Sequence, residues 1–359
     1  MKKEEKLLFK SLCSFRAEEF DEKLLKYATP AVLGELFFNR MHAIAYGTLC
    51  EHKLLHKVNR EFRNSLQMAY ENCKEKNHSF FWCIEYLNEI LEKVDCKFAM
   101  LKGAYLCSYY PIGYRTSNDI DLLVLPDDIT KVGNALSVAG FNQGYIKNNE
   151  FVPATRNEII ESKLMRGETV PYIKKVGLQG MKFLEVDINF SLDYKNGNTH
   201  TIDEVLNKSF KQEINHINVN TLAPNDFFIH LCSHLYKEAT TLPWIEMKRD
   251  MTMYKYCDIY TLLEDMTKHQ VKSLFCRAEE LNMEKICAFA ILQTSELFDI
   301  KNRLAIDLSK EQLKNNSDFL HTVISPREKK LYAYKEKDIF KRFFSDNRTN
   351  LLIEEEKYG

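Results

Sequence analysis

Residues 118–125 read NDIDLLVL, with two aspartates one position apart inside an apolar run. The run has the length and composition of a buried strand. Side chains alternate across a strand, so Asp119 and Asp121 share one face while Ile120, Leu122 and Val124 share the other. The apolar face can anchor the strand in a core. The acidic face carries two carboxylates whose Cα atoms lie about 7 Å apart. Burying one ionised carboxylate without a partner costs several kcal/mol, and two repel each other as well. Any fold that accepts this strand must therefore set positive charge against its acids, and carboxylates this close can share divalent cations.

Residues 181–190, MKFLEVDINF, repeat the pattern. Leu184, Val186, Ile188 and Phe190 face one way, and Glu185, Asp187 and Asn189 face the other. If this strand lies beside the first, Asp187 becomes a third carboxylate at the same point, with Glu185 as the alternative ligand. Magnesium suits such a set, because it prefers oxygen ligands and keeps positions for water and phosphate; manganese is the alternative. Two such ions roughly 3.5–4 Å apart can serve an in-line phosphoryl displacement. Upstream, KFAML reads as a short strand, Lys102-Gly103 as a turn, and AYLCSYY as a helix ending before Pro111. A glycine at that turn lets the chain reverse tightly and lets backbone N–H groups approach a phosphate. Lys102 and Arg115 lie within reach and could neutralise a triphosphate.

The rest of the chain frames this core. At 359 residues it predicts two or three packed units. Only 12 glycines and 8 prolines favour long helices. The division expected is a helical region at 1–95, a core at 96–200 and a second helical region at 201–359. In the first, Leu66, Tyr70, Cys73, Phe80, Ile84, Leu87, Leu91 and Val94 form a near-heptad stripe broken at Asn77. After the aspartate strand, Asp127 is the expected N-cap of a helix that buries Ile129, Val132 and Leu136 and stops at Gly140. Residues 141–180 suggest two short strands around a helix near 158–166, and from Pro224 the pattern is helical almost to the end.

Fifty basic residues balance 51 acidic ones, so net charge gives no case for a nucleic-acid or membrane partner, although a local basic cleft stays open. Ten cysteines are scattered singly without metal-site spacing, which predicts reduced thiols and a cytoplasmic setting. MKKEEKLLFK does not read as a secretory signal, and no apolar run approaches the roughly 20 residues that span a bilayer.

The order LKGAYL…GYRTSNDIDLLV…GF…LEVDINFSL resembles the DNA polymerase β-like nucleotidyltransferase superfamily. It is most similar to the bacterial nucleotidyltransferase family that carries LKG…DIDLLV after a helical N-terminal region, from about residue 39 to 263. The resemblance implies an α+β fold: a small mixed-sheet core flanked by N- and C-terminal helical regions. It also implies that Asp119 and Asp121 bind two Mg²⁺ ions, that Asp187 binds the catalytic one and helps deprotonate an acceptor hydroxyl, and that Gly103 and Ala104 cradle the β- and γ-phosphates. The reaction implied moves NMP from an NTP, ATP by default, to a hydroxyl of an unidentified acceptor, a small molecule or peptide in a biosynthetic or resistance pathway, with release of pyrophosphate. Two positions depart from the pattern. Gly103-Ala104 stands where the superfamily usually has Gly-Ser or Gly-Gly, and Asn189 where the closer family often has histidine.

Other readings compete. A DxD glycosyltransferase would have a larger doubly wound domain before its aspartates. A toxin-like transferase acting on tRNA or protein would use the same core, and a non-catalytic nucleotide-binding scaffold would have no use for mutually repelling acids. His230 and His234 sit four apart, a metal-gripping spacing that lacks a third ligand, so a structural or substrate-lining role leads. Asp258 resembles a recurring family aspartate but is explained equally by a helix-packing salt bridge. The basic stretch SPREKKLYAYKEKDIFKRFF reads as a solvated helix face, with a polyphosphate or RNA contact as the lesser reading.

Overall fold

A computed structural model describes residues 1–165, 167–192, 199–214 and 216–355. The chain forms two compact units, Glu71–His230 and the combination of Met1–Tyr70 with Leu231–Gly359. Both helices and sheets occur, so the fold is α+β, with a mixed sheet flanked by helices.

The first unit is built on eight strands: β1 (Phe98–Met100), β2 (Asp119–Val124), β3 (Asn142–Lys147), β4 (Glu150–Pro153), β5 (Tyr172–Leu178), β6 (Met181–Asn189), β7 (Phe210–Ile214) and β8 (Ile217–Thr221). Their order is β4-β3-β5-β6-β2-β1-β8-β7. β2 lies parallel to β6 and antiparallel to β1, so the acidic strand is central and paired on both sides. Its apolar face is sealed: Ile120, Leu122 and Val124 are buried, as are Leu184, Val186 and Ile188 of β6. This alternation is what aims the odd-numbered acids of both strands the other way.

Elements next to the site follow the chain's local chemistry, with some differences from the sequence reading. The helix after β2 spans Ile129–Val138 and is preceded by a 3₁₀ turn, Pro126–Asp128. That turn moves the capping position from Asp127 to Asp128, and the Asp128 carboxylate binds Lys131 Nζ at 2.7 Å instead of a backbone N–H. Ile129, Val132 and Leu136 are buried as the stripe predicts. Gly140 ends the helix at φ +89°, with its N–H on Ser137 O and that of Phe141 on Leu136 O, both 3.0 Å. This double closure is a Schellman motif and needs a left-handed residue at Gly140. Residues 141–180 hold three strands, β3 to β5, around the helix Arg156–Met165, one strand more than expected.

The second unit is helix-rich, including Lys3–Cys13, His42–Glu51, Met253–Glu264 and Glu284–Leu297. It also carries a three-stranded antiparallel sheet, β9 (Thr322–Ser325), β10 (Lys330–Tyr334) and β11 (Leu352–Glu355). The stretch read as a solvated helix face is thus largely strand and turn. Its Arg342 is buried over the Tyr334 ring, 4.4 Å from the centroid, because the short helix Ile339–Phe343 turns that side inward.

Candidate active site

The register between β2 and β6 decides which acids meet. Asp119 lies beside Glu185, Asp121 beside Asp187, and Leu123 beside Asn189. A slip of one residue would send one strand's acids into the core, so the buried faces fix the register. Asp121 is only 5 % exposed, while Asp119, Asp187 and Glu185 are half-buried.

Lys102 supplies the positive charge. It follows β1 and sits at φ +43°, ψ −116°, a conformation that costs a non-glycine residue about 1–3 kcal/mol. Its Nζ lies 2.8 Å from Asp121 Oδ1, and Asn189 Nδ2 donates to the same oxygen at 3.4 Å. Lys102, and not Gly103, is therefore the left-handed residue of the turn. Gly103 has a different requirement: a Cβ there would come within 2.8 Å of Ser117 Cβ. Ser117 in turn donates from Oγ to Asp119 Oδ1 at 2.5 Å. Gly103 and fully buried Ala104 begin the helix Gly103–Leu106, and the first N–H groups of a helix have no acceptor within it.

Arg115 reaches the cluster through its loop. Its Nη1 donates to Thr116 O at 2.8 Å, and its carbonyl accepts from Asn77 Nδ2 at 2.8 Å. Asn77 Oδ1 also receives the N–H of Gly113 at 2.6 Å. The break in the helical stripe at Asn77 is thus a tether for residues 113–115.

The electrostatics show a cluster short of positive charge. Burial, then Asp121 and Asp119, drive the Asp187 carboxyl well above its ordinary range. Burial also raises Asp121, with Asp119 adding to the rise while Lys102 opposes it. Glu185 is raised by burial and by Asp119. Burial works against ionised Asp119 too, but the Ser117 hydrogen bond and the Lys102 and Arg115 charges outweigh it, so Asp119 is lowered. Lys102 is raised: burial opposes its charge, and Asp121, Asp119 and Asp187 together overcome that.

Among the described residues no set of three or more His, Cys, Asp or Glu side chains stands arranged as a metal cage. The donor chemistry nevertheless fits a hard divalent cation: all oxygen, with acidic charge in excess of the single lysine at its centre. His230 is buried, and His234 Nε2 lies 3.6 Å from Glu238 Oε1. Asp258 is buried in the helix Met253–Glu264. Sequence reasoning missed Ser117 and the true role of Asn77, of which only Asn77 left a signal, as a polar residue in an apolar stripe.

Acids aligned on two parallel strands thus stand beside a lysine-bearing strand–glycine–helix turn. The chain belongs to the family described as "Uncharacterised nucleotidyltransferase", whose model matches residues 31–299. Among solved structures it is similar to an antigenic nucleotidyltransferase-like protein from Paracoccidioides brasiliensis, at 12 % identity and a TM-score of 0.33, over 56 % of this chain and 87 % of that one. No curated protein matches the chain.

Proposed function

We propose that this chain is a magnesium-dependent nucleotidyltransferase that moves NMP from an NTP, ATP by default, to an acceptor hydroxyl. The observation that carries this reading is the β2–β6 register, which sets Asp121 beside Asp187 with Asp119 on the same face. Asp119, Asp121 and Asp187 would hold Mg²⁺, which supplies charge neutralisation at the transferring phosphoryl group. Lys102 and Arg115 meet the phosphates, and Gly103 and Ala104 offer N–H groups to them. Asp187 would also help to take the proton of the acceptor hydroxyl. The acceptor oxygen bonds to the α-phosphorus as the bond to the β-phosphate's bridging oxygen breaks, and pyrophosphate leaves. None of the ten cysteines forms a disulfide among the described residues, which supports a reducing, cytoplasmic setting.

The test is calorimetry with Mg²⁺ and each NTP, joined to a pyrophosphate-release assay. The wild type should bind nucleotide only with the metal, and Asp119→Asn should lose metal-dependent release while its melting curve stays near wild type. Unchanged release in Asp119→Asn would refute the assignment, and no metal-dependent binding at all would leave a scaffold.

A further inference from the structure

We infer that a pocket on the acidic face of the sheet is the acceptor site, and that its occupant is a small, polar, uncharged or cationic molecule bearing a hydroxyl. The inference rests on the transferase reading above and adds the place and class of the second substrate.

The cavity has a volume of about 430 Å³, within the usual range for small-molecule sites. It is open to solvent and its lining is mostly polar, from Asn118, Asn149, Lys182 and Glu185, with Ile146 and Phe183 as smaller apolar patches. Phe183, Glu185 and Asp187 are alternate residues of β6, so the cavity opens on the face that carries the acids. Glu185 is also the neighbour of Asp119 across the strand pair. An occupant of the cavity therefore adjoins the carboxylate cluster.

Strand order gives its role. In the sequence β5-β6-β2-β1, Lys102 follows β1 and flanks the acidic pair on one side. The cavity is lined mainly from β3, β5 and β6, with Asn118 just before β2, and lies toward the other. In-line displacement puts the attacking and leaving oxygens on opposite sides of phosphorus. A leaving pyrophosphate held at Lys102 thus leaves the cavity side for the attacking hydroxyl.

Charge decides the class. The lining carries the Glu185 carboxylate, and its Lys182 is already engaged, with Nζ 2.7 Å from Asn149 O and 3.0 Å from Glu150 Oε1. A polyanion such as RNA would meet an acid there and no uncommitted lysine on the lining.

The experiment incubates full-length protein with Mg²⁺, α-labelled ATP and a cell extract, and asks which size fraction carries the label. Wild-type protein should yield a new labelled small molecule, resolved by chromatography from ATP, ADP and AMP and absent without the enzyme. Ile146→Trp, which fills the cavity, should reduce that labelling by roughly tenfold or more, on the scale of a pocket changed by a few atoms. Phe183→Ala, which opens it, should also reduce labelling, and both variants should keep Mg²⁺-dependent ATP binding and a cooperative unfolding transition. New label only on RNA or protein, with no small-molecule product beyond ATP, ADP and AMP, overturns the proposal, as does full product formation by either folded variant. Loss of ATP binding by the wild type itself would instead sink the underlying transferase reading.

Discussion

Gly103 is present because it lacks a side chain. With 2.8 Å between a hypothetical Cβ and Ser117 Cβ, Gly103→Ala must push apart the turn and the residue that holds Asp119. Overpacking of this kind costs about 1–3 kcal/mol. Thermal unfolding should show that loss, and adding Ser117→Gly should recover part of it, because the opposing Cβ is then gone. No recovery would mean that the clash is not the cause. Asp187 gives a prediction of opposite sign. Its carboxyl is held well above the ordinary aspartate value of 3.8, so the folded chain keeps a proton that the unfolded chain releases. The stability this contributes is complete below that ordinary value and is lost as pH rises through the folded value. In metal-free protein, Asp187→Asn should therefore melt higher than wild type at neutral and alkaline pH, with the gain shrinking in acid, while transfer is abolished. A melting difference that does not change with pH would show that burial of an ionised carboxylate beside Asp121 and Asp119 is not what Asp187 contributes.

At the scale of elements, the strands that carry the acids were legible and the hairpin at one edge of the sheet was not. β2 and β6 are central, so each must alternate cleanly between a sealed face and an acidic one, and that alternation is written in the sequence. β7 and β8 form an edge hairpin whose Lys211, Glu213, Asn218 and Asn220 dilute any apolar period, and they fell inside a region read as helical. β10 was hidden in the same way by the lysines around it. The pairing of Lys102 with Asp121 spans 19 residues and depends on β1 lying against β2, which no local spacing encodes. The helix Arg60–Leu91 was legible as a stripe, but its polar break was read only as an interruption. Asn77 is 2 % exposed and satisfies Gly113 N–H and Arg115 O. Asn77→Leu would complete the stripe yet strand both backbone groups, at about 1–3 kcal/mol each. The variant should melt lower despite its better apolar pattern, and its KM for nucleotide should rise because Arg115 loses its anchor. A variant at least as stable as wild type would show that the loop does not depend on the tether.

For the whole molecule, every residue assigned here to nucleotide, metal or acceptor lies in the unit Glu71–His230. The other unit has its own electrostatic keystone. Arg348 meets Asp250 in a two-pronged pair, Nε to Oδ2 at 2.7 Å and Nη2 to Oδ1 at 2.6 Å, and Asp250 is fully buried. Arg348 is raised: burial opposes its charge, and the Asp250 carboxylate outweighs burial. Removing one partner of such a pair leaves the other charge buried and costs about 3–5 kcal/mol, whereas replacing both with apolar groups can be nearly neutral. Asp250→Asn should therefore lower the melting temperature sharply, and Asp250→Leu combined with Arg348→Met should melt above either single variant. Mg²⁺-dependent ATP binding, measured well below the lowered midpoint, should persist in Asp250→Asn, because none of the residues that would meet nucleotide belongs to that unit. If the folded variant instead loses nucleotide binding, the chemistry draws on both units, and the acids of β2 and β6 are not sufficient to define it.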